Sequence, residues 1–464
     1  MVVKTITAAL QGINATVVHC ETVTAPGIRC IMIGLPDMAV KESRERLESA
    51  LLESGMKFPR KAVTINLAPA DIRKEGALYD VPIAVAVLAA DEKIPTDKLD
   101  KYMMVGELSL DGAVKPVKGC LPFAILAREM GLQGIIVPRE NGIEAAVVNN
   151  LEVRVADHLR DVIGFMKGES EMEILQLDTR EIFRQAERHY LCDFKEVKGQ
   201  ESVKRAFAIA AAGGHNLIMV GPPGSGKSML AKRLPSILPP LSLSESLETT
   251  QIHSIAGSLK SDTSLIATRP FRSPHHTISP VALVGGGLNP QPGEISLAHN
   301  GILFLDELPE FNRSVLEVLR QPLEDRVINI SRAKYSISYP CNFQFVAAMN
   351  PCPCGYYNHP LKNCVCTPGQ ITRYLNKISG PLLDRIDIQC EIMPLTFDQV
   401  SRSAPGESSA TIRERVIKAR RIQEERYRSY KGIHCNAQMT PSLMREFATP
   451  SPEDAEVLRQ AMNR

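Results

Sequence analysis

Leu217-Ile-Met-Val220 runs directly into Gly221-Pro222-Pro223-Gly224-Ser225-Gly226-Lys227-Ser228, which opens onto Met229-Leu-Ala-Lys-Arg-Leu234. An apolar tetrad, a glycine-rich octad of pattern G-x-x-x-x-G-K-[ST] and a helix-forming run stand in the order strand, loop, helix that a phosphate-binding loop needs. The glycines let backbone N–H groups turn inward as an anion nest, and the helix N-terminus adds its dipole. Lys227 is then placed to reach the β- and γ-phosphates of ATP, and Ser228 to ligate Mg²⁺. Average residue frequencies give a chance match in roughly one or two per hundred chains of this length. The flanking strand and helix make chance rarer still.

Downstream, Gly301-Ile-Leu-Phe-Leu-Asp306-Glu307 reads as an apolar strand ending in two carboxylates. Two adjacent acids at a strand tip need two roles: Asp306 is expected to hold the Mg²⁺ shell and Glu307 to polarise the water that attacks the γ-phosphate. A third apolar run, Phe343-Gln-Phe-Val-Ala-Ala-Met349, ends in Asn350, a neutral amide suited to orient that water. Pro381-Leu-Leu-Asp384-Arg385-Ile-Asp387 sets an arginine between two acids. It reads either as a structural salt bridge or as an arginine finger delivered in trans to a neighbouring subunit, a contribution of about 10³ to 10⁵ in rate in comparable systems.

The chain has 464 residues, of which 44% are hydrophobic and 23% charged. That is enough for about three domains of roughly 150 residues, each with its own core. The composition excludes wholesale disorder and collagen-like repetition. The longest apolar run, Val81 to Ala90, is well short of the ~18 residues that would span a bilayer. The start MVVKTITAALQGINATVV lacks a compact apolar core and a small-residue cleavage site, so a cytoplasmic protein without a membrane partner is expected. A net charge of +2 places any nucleic-acid site in a local patch. Residues 1–168 alternate short strands and helices as an α/β domain, and 169–190 turn polar and acidic as a linker. Residues 191–392 carry the near-continuous apolar strands of a parallel sheet covered on both faces, and 393–464 read as helical.

Eleven cysteines in such a chain point to reduced buried thiols or a metal site. Cys352-Pro-Cys354 and Cys364-Val-Cys366 could bind Zn²⁺ tetrahedrally and staple the loop between them; reduced or redox-labile thiols are the other reading. His359, between the pairs, reads as a loop residue. For DNA, Val327 to Ser338 alternates in period two around a basic turn, a hairpin whose tip presents Arg332 and Lys334. The segment Arg269 to His276, with Arg269 and Arg272, and the triplet Gly285-Gly-Gly287 form a second candidate contact, a glycine-rich flexible loop. The other reading of the two is a solvated hairpin and a flexible loop. Arg413 to Lys431 holds eight basic and three acidic residues, a phosphate track or simply a solvated helix face.

Gly199-Gln200, His215-Asn216-Leu217, GPPGSGKS, Arg269-Pro-Phe-Arg-Ser-Pro-His-His276, the strand ending Asp306-Glu307 and Ser379-Gly-Pro-Leu-Leu-Asp-Arg-Ile386 together resemble AAA+ ATPases of the magnesium-chelatase-like group, and within it the ComM/YifB family. The resemblance covers essentially the whole chain. It implies an AAA+ P-loop core with Gly199 and Gln200 in the nucleotide site, and a hexameric ring. That ring would encircle DNA and drive branch migration in homologous recombination and natural transformation, alongside recombination proteins. In related ring motors a hairpin such as 327–338 points into the pore. Relatives continue past the equivalent of Arg464, so the helical lid is expected to be partial and without a second sensor arginine.

Gly34-Leu-Pro-Asp37, Asn66 to Gly76 and Val105 to Gly112 resemble the Lon-protease-like domain, of ribosomal S5-like fold. A Lon-type peptidase uses a serine activated by a lysine; the matching positions here hold Leu78 and Pro122, so no peptidase activity is expected. Ser109 and Lys115 fall outside the motif. Two other readings of the ATPase remain: the motor subunit of a magnesium chelatase, and a protein-remodelling chaperone. The Lon-like domain and the cysteine cluster count against the first.

Overall fold

The computed structural model describes residues 2–186, 192–260, 263–287, 290–332, 335–395, 406–430 and 432–463. Two sheets organise them, each with its own core.

The first is an eight-stranded mixed sheet in the order Ile174–Leu175, Glu152–Ala156, Gly134–Pro138, Tyr102–Met104, Val3–Gln11, Asn14–Ala25, Ala62–Ala68, Cys30–Ile33. Its spine is a long antiparallel hairpin, paired from Val3↔Thr22 to Gln11↔Asn14, which leaves Gly12 and Ile13 as a two-residue turn. Gly12 sits at φ +66°, as such tight turns require. In Ala62–Ala68 every second residue is buried, the mark of a half-covered strand. Helix Asp80–Ala90, by contrast, is buried at every position, which accounts for the ten-residue apolar run: a helix with no solvent face has no polar stripe. Pro82 is tolerated because it lies in the first turn. The sheet's last strand, Ile174–Leu175, pairs with Val153 and Arg154, so the acidic segment after residue 168 begins by closing this sheet.

The second sheet has five parallel strands in the order Phe271–Arg272, Ile302–Leu305, Gln344–Met349, Leu217–Val220, Ile388–Glu391. Leu303, Leu305, Phe345 and Ala347 face one buried cluster, while Ile302, Phe304, Val346 and Ala348 face another. Each fully buried large side chain contributes about 1.5–3 kcal/mol. The register pairs Val220 with Met349 and Leu305 with Ala347. The carboxyl ends of three adjacent strands therefore lie together, followed by Gly221, Asp306 and Asn350. This α/β architecture, a Lon-like domain ahead of an AAA+ parallel-sheet core, is the expected fold.

Around the core, Val327–Arg332 and Tyr335–Pro340 form the expected antiparallel hairpin, its base anchored by buried Ile328, Ile330 and Tyr339. Lys334 and the side chain of Arg332 lie outside the described residues. Helix Ser409–Arg426 packs Ile412 and Val416 into the core, and Arg420 and Gln423 donate to Ala211 O and Ala212 O, near the end of helix Glu201–Gly213. The basic helix is thus partly an anchored one. Pro441, which reads as a breaker in sequence, is the first residue of helix Pro441–Phe447, capped by Thr440. The two domains touch. Helix Leu243–Ile255 lies against helix Cys120–Glu129, with Ser254 O accepting from Gly119 N at 3.3 Å and Ser254 Oγ donating to Glu144. No described helix is long and apolar enough to cross a membrane.

Candidate functional site: a phosphate-binding loop at three strand ends

Val220 ends its strand and Gly221 N donates to Met349 O at 3.2 Å, fixing the loop to the neighbouring strand. Gly224 and Gly226 take φ +76° and +90°, values that glycine adopts without strain. A Cβ added at Gly224 would meet nothing within 4 Å, so this position of the loop faces open space. Ser225 Oγ, near Gly221, is buried without a hydrogen-bond partner among the described residues. An open glycine cradle with an orphaned hydroxyl fits a phosphate ligand. The helix that follows, Lys227–Ala231, has only five residues. The aimed N–H groups of its first turn therefore matter more than a macrodipole.

Lys227 is buried. Its ammonium donates to Gly221 O at 2.7 Å and Pro222 O at 2.9 Å, and to Asn350 Oδ1 at 3.2 Å. Burial holds it below the usual lysine pKa, against the pull of Asp306 and Glu307. Ser228 Oγ donates to Asp306 Oδ2, so the hydroxyl and carboxylate that would share an Mg²⁺ ion already face each other. Glu307 N donates back to Asp306 Oδ1 at 2.9 Å. Glu307 itself sits at φ +53°, in the left-handed region that costs a non-glycine residue of order 1 kcal/mol or more. That backbone turn separates the two carboxylates, leaving Glu307 more than half exposed at the strand tip.

The structure adds one residue that sequence reasoning assigned elsewhere. His276 Nδ1 lies 3.6 Å from Glu307 Oε2; its ring lies tilted against that of His275, centroids 4.0 Å apart, and meets Phe311 edge-on. The chain reaches this point because Phe271–Arg272 forms the edge strand beside Ile302–Leu305. The same pairing fixes where Arg269 and Arg272 sit. Arg269 Nε donates to Pro239 O at 2.7 Å and Nη1 to Asn300 O at 2.8 Å, and the guanidinium pairs with Glu245. Burial pushes the Glu245 carboxyl up, but Arg269 and the helix start at Ser242 hold it below its usual range. Arg272 forks onto both carboxylate oxygens of Glu294 at 2.6 Å. Both arginines brace the edge of the sheet instead of standing on a loop tip. Gly285 and Gly286 are likewise hydrogen-bonded, to Gln291–Pro292; a Cβ at Gly285 would fall 2.4 Å from Gln291 O, so these glycines serve a close backbone approach.

Gly199 and Gln200, at φ +59° and +60°, turn the chain into helix Glu201–Gly213. Gln200 Nε2 donates to Met393 O at 2.6 Å, just beyond Ile392, whose N–H bonds Val220 O. They thus flank the loop on the side of the last strand. Arg385 lies at the opposite, amino-terminal edge of the sheet: its carbonyl accepts from Asn216 Nδ2 at 2.8 Å, before the strand that leads to Gly221. A four-residue strand spans about 13 Å, so Arg385 does not serve the phosphate loop of its own chain. Its guanidinium pairs with Glu324, both side chains well exposed.

Cys352, Cys354, Cys364 and Cys366 bring their four sulfurs within 4.8 Å of one another. His359 Nδ1 instead accepts from Leu361 N and Lys362 N, closing a turn. In the first domain Leu78 packs against the core and Pro122 is buried inside helix Cys120–Glu129. Ser109 Oγ bonds Asp111 and Ala113 O, and Lys115 pairs across a two-residue strand with Glu107. No serine–lysine dyad forms among these four.

Comparisons with known proteins show the family. The family model "Magnesium chelatase, subunit ChlI" matches residues 193–400, "Subunit ChlI of Mg-chelatase" matches 20–141, and the ChlI C-terminal model matches 406–464. YifB of Escherichia coli (strain K12) is 46% identical over 453 residues, 97% of this chain and 86% of that protein. The competence protein ComM of Haemophilus influenzae (strain ATCC 51907 / DSM 11121 / KW20 / Rd) is 41% identical over 460 residues, 98% of this chain and 88% of that one. Lon protease 2 of Bacillus subtilis (strain 168) is 35% identical over 101 residues, 22% of this chain and 18% of the protease. The chain belongs to the ComM/YifB family of magnesium-chelatase-like AAA+ proteins, with a Lon-protease-like domain ahead of the ATPase core.

Proposed function

We propose that this chain hydrolyses ATP as a subunit of a cytoplasmic ring, six-membered by the family pattern, and couples hydrolysis to movement along DNA, driving branch migration in recombination and natural transformation. The observation that supports this most is the convergence of Lys227, Ser228, Asp306, Glu307 and Asn350 at the ends of three adjacent parallel strands. In this reading Lys227 exchanges its loop carbonyls for phosphate oxygens, and Ser228 with Asp306 would hold Mg²⁺. That ion, when bound, neutralises charge on the β- and γ-phosphates. Glu307, exposed at its tip, takes the proton of the attacking water while Asn350 orients it. Arg385 reaches the phosphates of a neighbouring subunit. Its pair with Glu324 is a surface pair, worth about 0–1 kcal/mol, so releasing it costs little.

The name of the Haemophilus relative, a competence protein, supports DNA as the substrate. The hairpin 327–340 supplies the contact in this reading, through Arg332 and Lys334. A second reading, the motor of a metal-insertion complex, draws on the names of the family models. The Lon-like domain does not argue against it as the sequence suggested, since the model matching residues 20–141 carries the chelatase subunit's name. The test is migration of a synthetic branched DNA by the assembled protein with ATP and Mg²⁺. The wild type is expected to move the branch and Glu307→Gln to leave it in place; a wild-type ring that hydrolyses ATP without moving it favours the second reading.

A further inference from the structure

The loop that follows Asn350 leads directly from the phosphate site, and its cysteines are arranged as a ligand set. Cys352 Sγ lies 3.4 Å from Cys354 Sγ and 3.7 Å from Cys364 Sγ, and Cys354 Sγ lies 3.5 Å from Cys364 Sγ. A tetrahedral site with Zn–S bonds of about 2.3 Å places sulfurs about 3.8 Å apart. The observed separations are close to that and far from a disulfide at about 2.05 Å; all four cysteines are free thiols. Backbone donors are aimed at the sulfurs as well: Tyr357 N at Cys352 Sγ, 3.3 Å, and Cys354 N at Cys366 Sγ, 3.4 Å. Such N–H contacts stabilise thiolate charge and orient ligands. Gly355, at φ +83°, makes the turn between the two C-x-C pairs possible.

The same loop touches the nucleotide site at two points. Gly355 packs flat on the ring of Pro223, so that a Cβ there would lie 2.4 Å from Pro223 Cδ. Cys352 is only two residues past Asn350, which holds Lys227. Just beyond the second pair, Thr367 caps helix Pro368–Leu375, whose Tyr374 is buried in the same cluster as Met349, the residue before Asn350. Few apolar contacts hold the loop itself: Leu361 and Val365 are each 82% exposed.

We propose that Cys352, Cys354, Cys364 and Cys366 bind one structural Zn²⁺, and that the metal-pinned loop props the phosphate-binding loop through Gly355 and Pro223 while fixing the position of Asn350. The second half rests on the ATP-site reading above; the first does not. Softness of the four thiolates and tetrahedral spacing select zinc over the harder divalent ions.

The test uses the full chain purified without chelator. Metal content is read by elemental analysis, and zinc release by a colorimetric chelator on adding a mercurial. Binding of a fluorescent ATP analogue is measured before and after release. About one zinc per chain is expected, lost in Cys364→Ser and retained in Cys366→His, which keeps a ligand. Nucleotide affinity should fall on the order of tenfold with the metal. Far-UV circular dichroism of Cys364→Ser checks that the sheets persist, and Cys366→His supplies the answer should that variant unfold. Zinc-free protein that takes up no zinc on reconstitution overturns the site, as does iron in its place. Zinc present but without effect on nucleotide affinity overturns the prop. A zinc-loaded chain that binds no nucleotide contradicts the ATP reading and leaves the metal site standing.

Discussion

At the residue scale the site divides by how each side chain is delivered. Lys227, Ser228, Asp306, Glu307 and Asn350 were legible in the sequence because each directly follows, or closes the loop after, an apolar strand, and register alone brings the strand ends together. His276 was not. Its place beside Glu307 depends on an edge strand of two residues, Phe271–Arg272, too short to announce itself by periodicity. The ion pairs of Arg269 and Arg272 were hidden for the same reason, since their carboxylate partners, Glu245 and Glu294, lie more than twenty residues away in the chain. Two expectations follow. Glu307→Gln should leave nucleotide binding intact and lower the steady-state hydrolysis rate on the order of 10²–10⁴-fold. His276→Ala, which removes a group positioning Glu307 without touching the phosphate loop, should lower kcat by less and leave KM for ATP unchanged; a rise in KM alone would place His276 in substrate binding.

At the element scale, helices and strands with one covered face declared themselves, and elements buried on all sides did not. Ala62–Ala68 alternates visibly. Val81 to Ala90 showed only as an apolar run, and the hairpin Val3–Gln11/Asn14–Ala25 hid behind Thr and Ala, three of whose threonines, Thr5, Thr7 and Thr22, are fully buried. Thr5 Oγ1 donates to Pro82 O at 3.0 Å, tying that hairpin to the buried helix. Truncating Leu88 to Ala in this helix should cost about 2–5 kcal/mol, read as an earlier denaturant transition of the first domain. The docking between domains carries a pH signature. Burial pushes the Glu144 carboxyl above its ordinary 4.5, against donors from Ser254, Leu121 and Asn141. A folded-state pKa above the unfolded one means the native state holds the proton longer. Its stabilising contribution is full below about 4.5 and is lost as pH rises through the raised value. Glu144→Gln carries no such dependence. Melting curves from about pH 5 to about pH 8 should therefore show the variant gaining on the wild type as pH rises; parallel curves would mean that Glu144 is ionised throughout.

At the scale of the whole molecule, the sequence marked out an α/β first domain, a parallel-sheet core and a helical tail, because long apolar strands and glycine punctuation survive without tertiary context. The contact of helix Leu243–Ile255 with the first domain was invisible, since interdomain pairs such as Ser254 and Glu144 leave no local pattern. So was the direction in which Arg385 faces. With that arginine at the edge of the sheet away from its own phosphate loop, the proposed finger in trans predicts that hydrolysis needs two subunits. Arg385→Ala rings and Lys227→Ala rings should each be inactive, and mixing the two before assembly should restore a fraction of the wild-type rate; no recovery on mixing would place Arg385 outside the catalytic unit. The central claim, a motor driven by ATP and engaged with DNA, is tested most directly by the ATPase rate of the assembled ring with and without single-stranded and forked DNA. The account predicts stimulation by DNA that disappears in Glu307→Gln and in the Arg332→Ala/Lys334→Ala hairpin variant. An intact ring whose turnover is indifferent to DNA would contradict it.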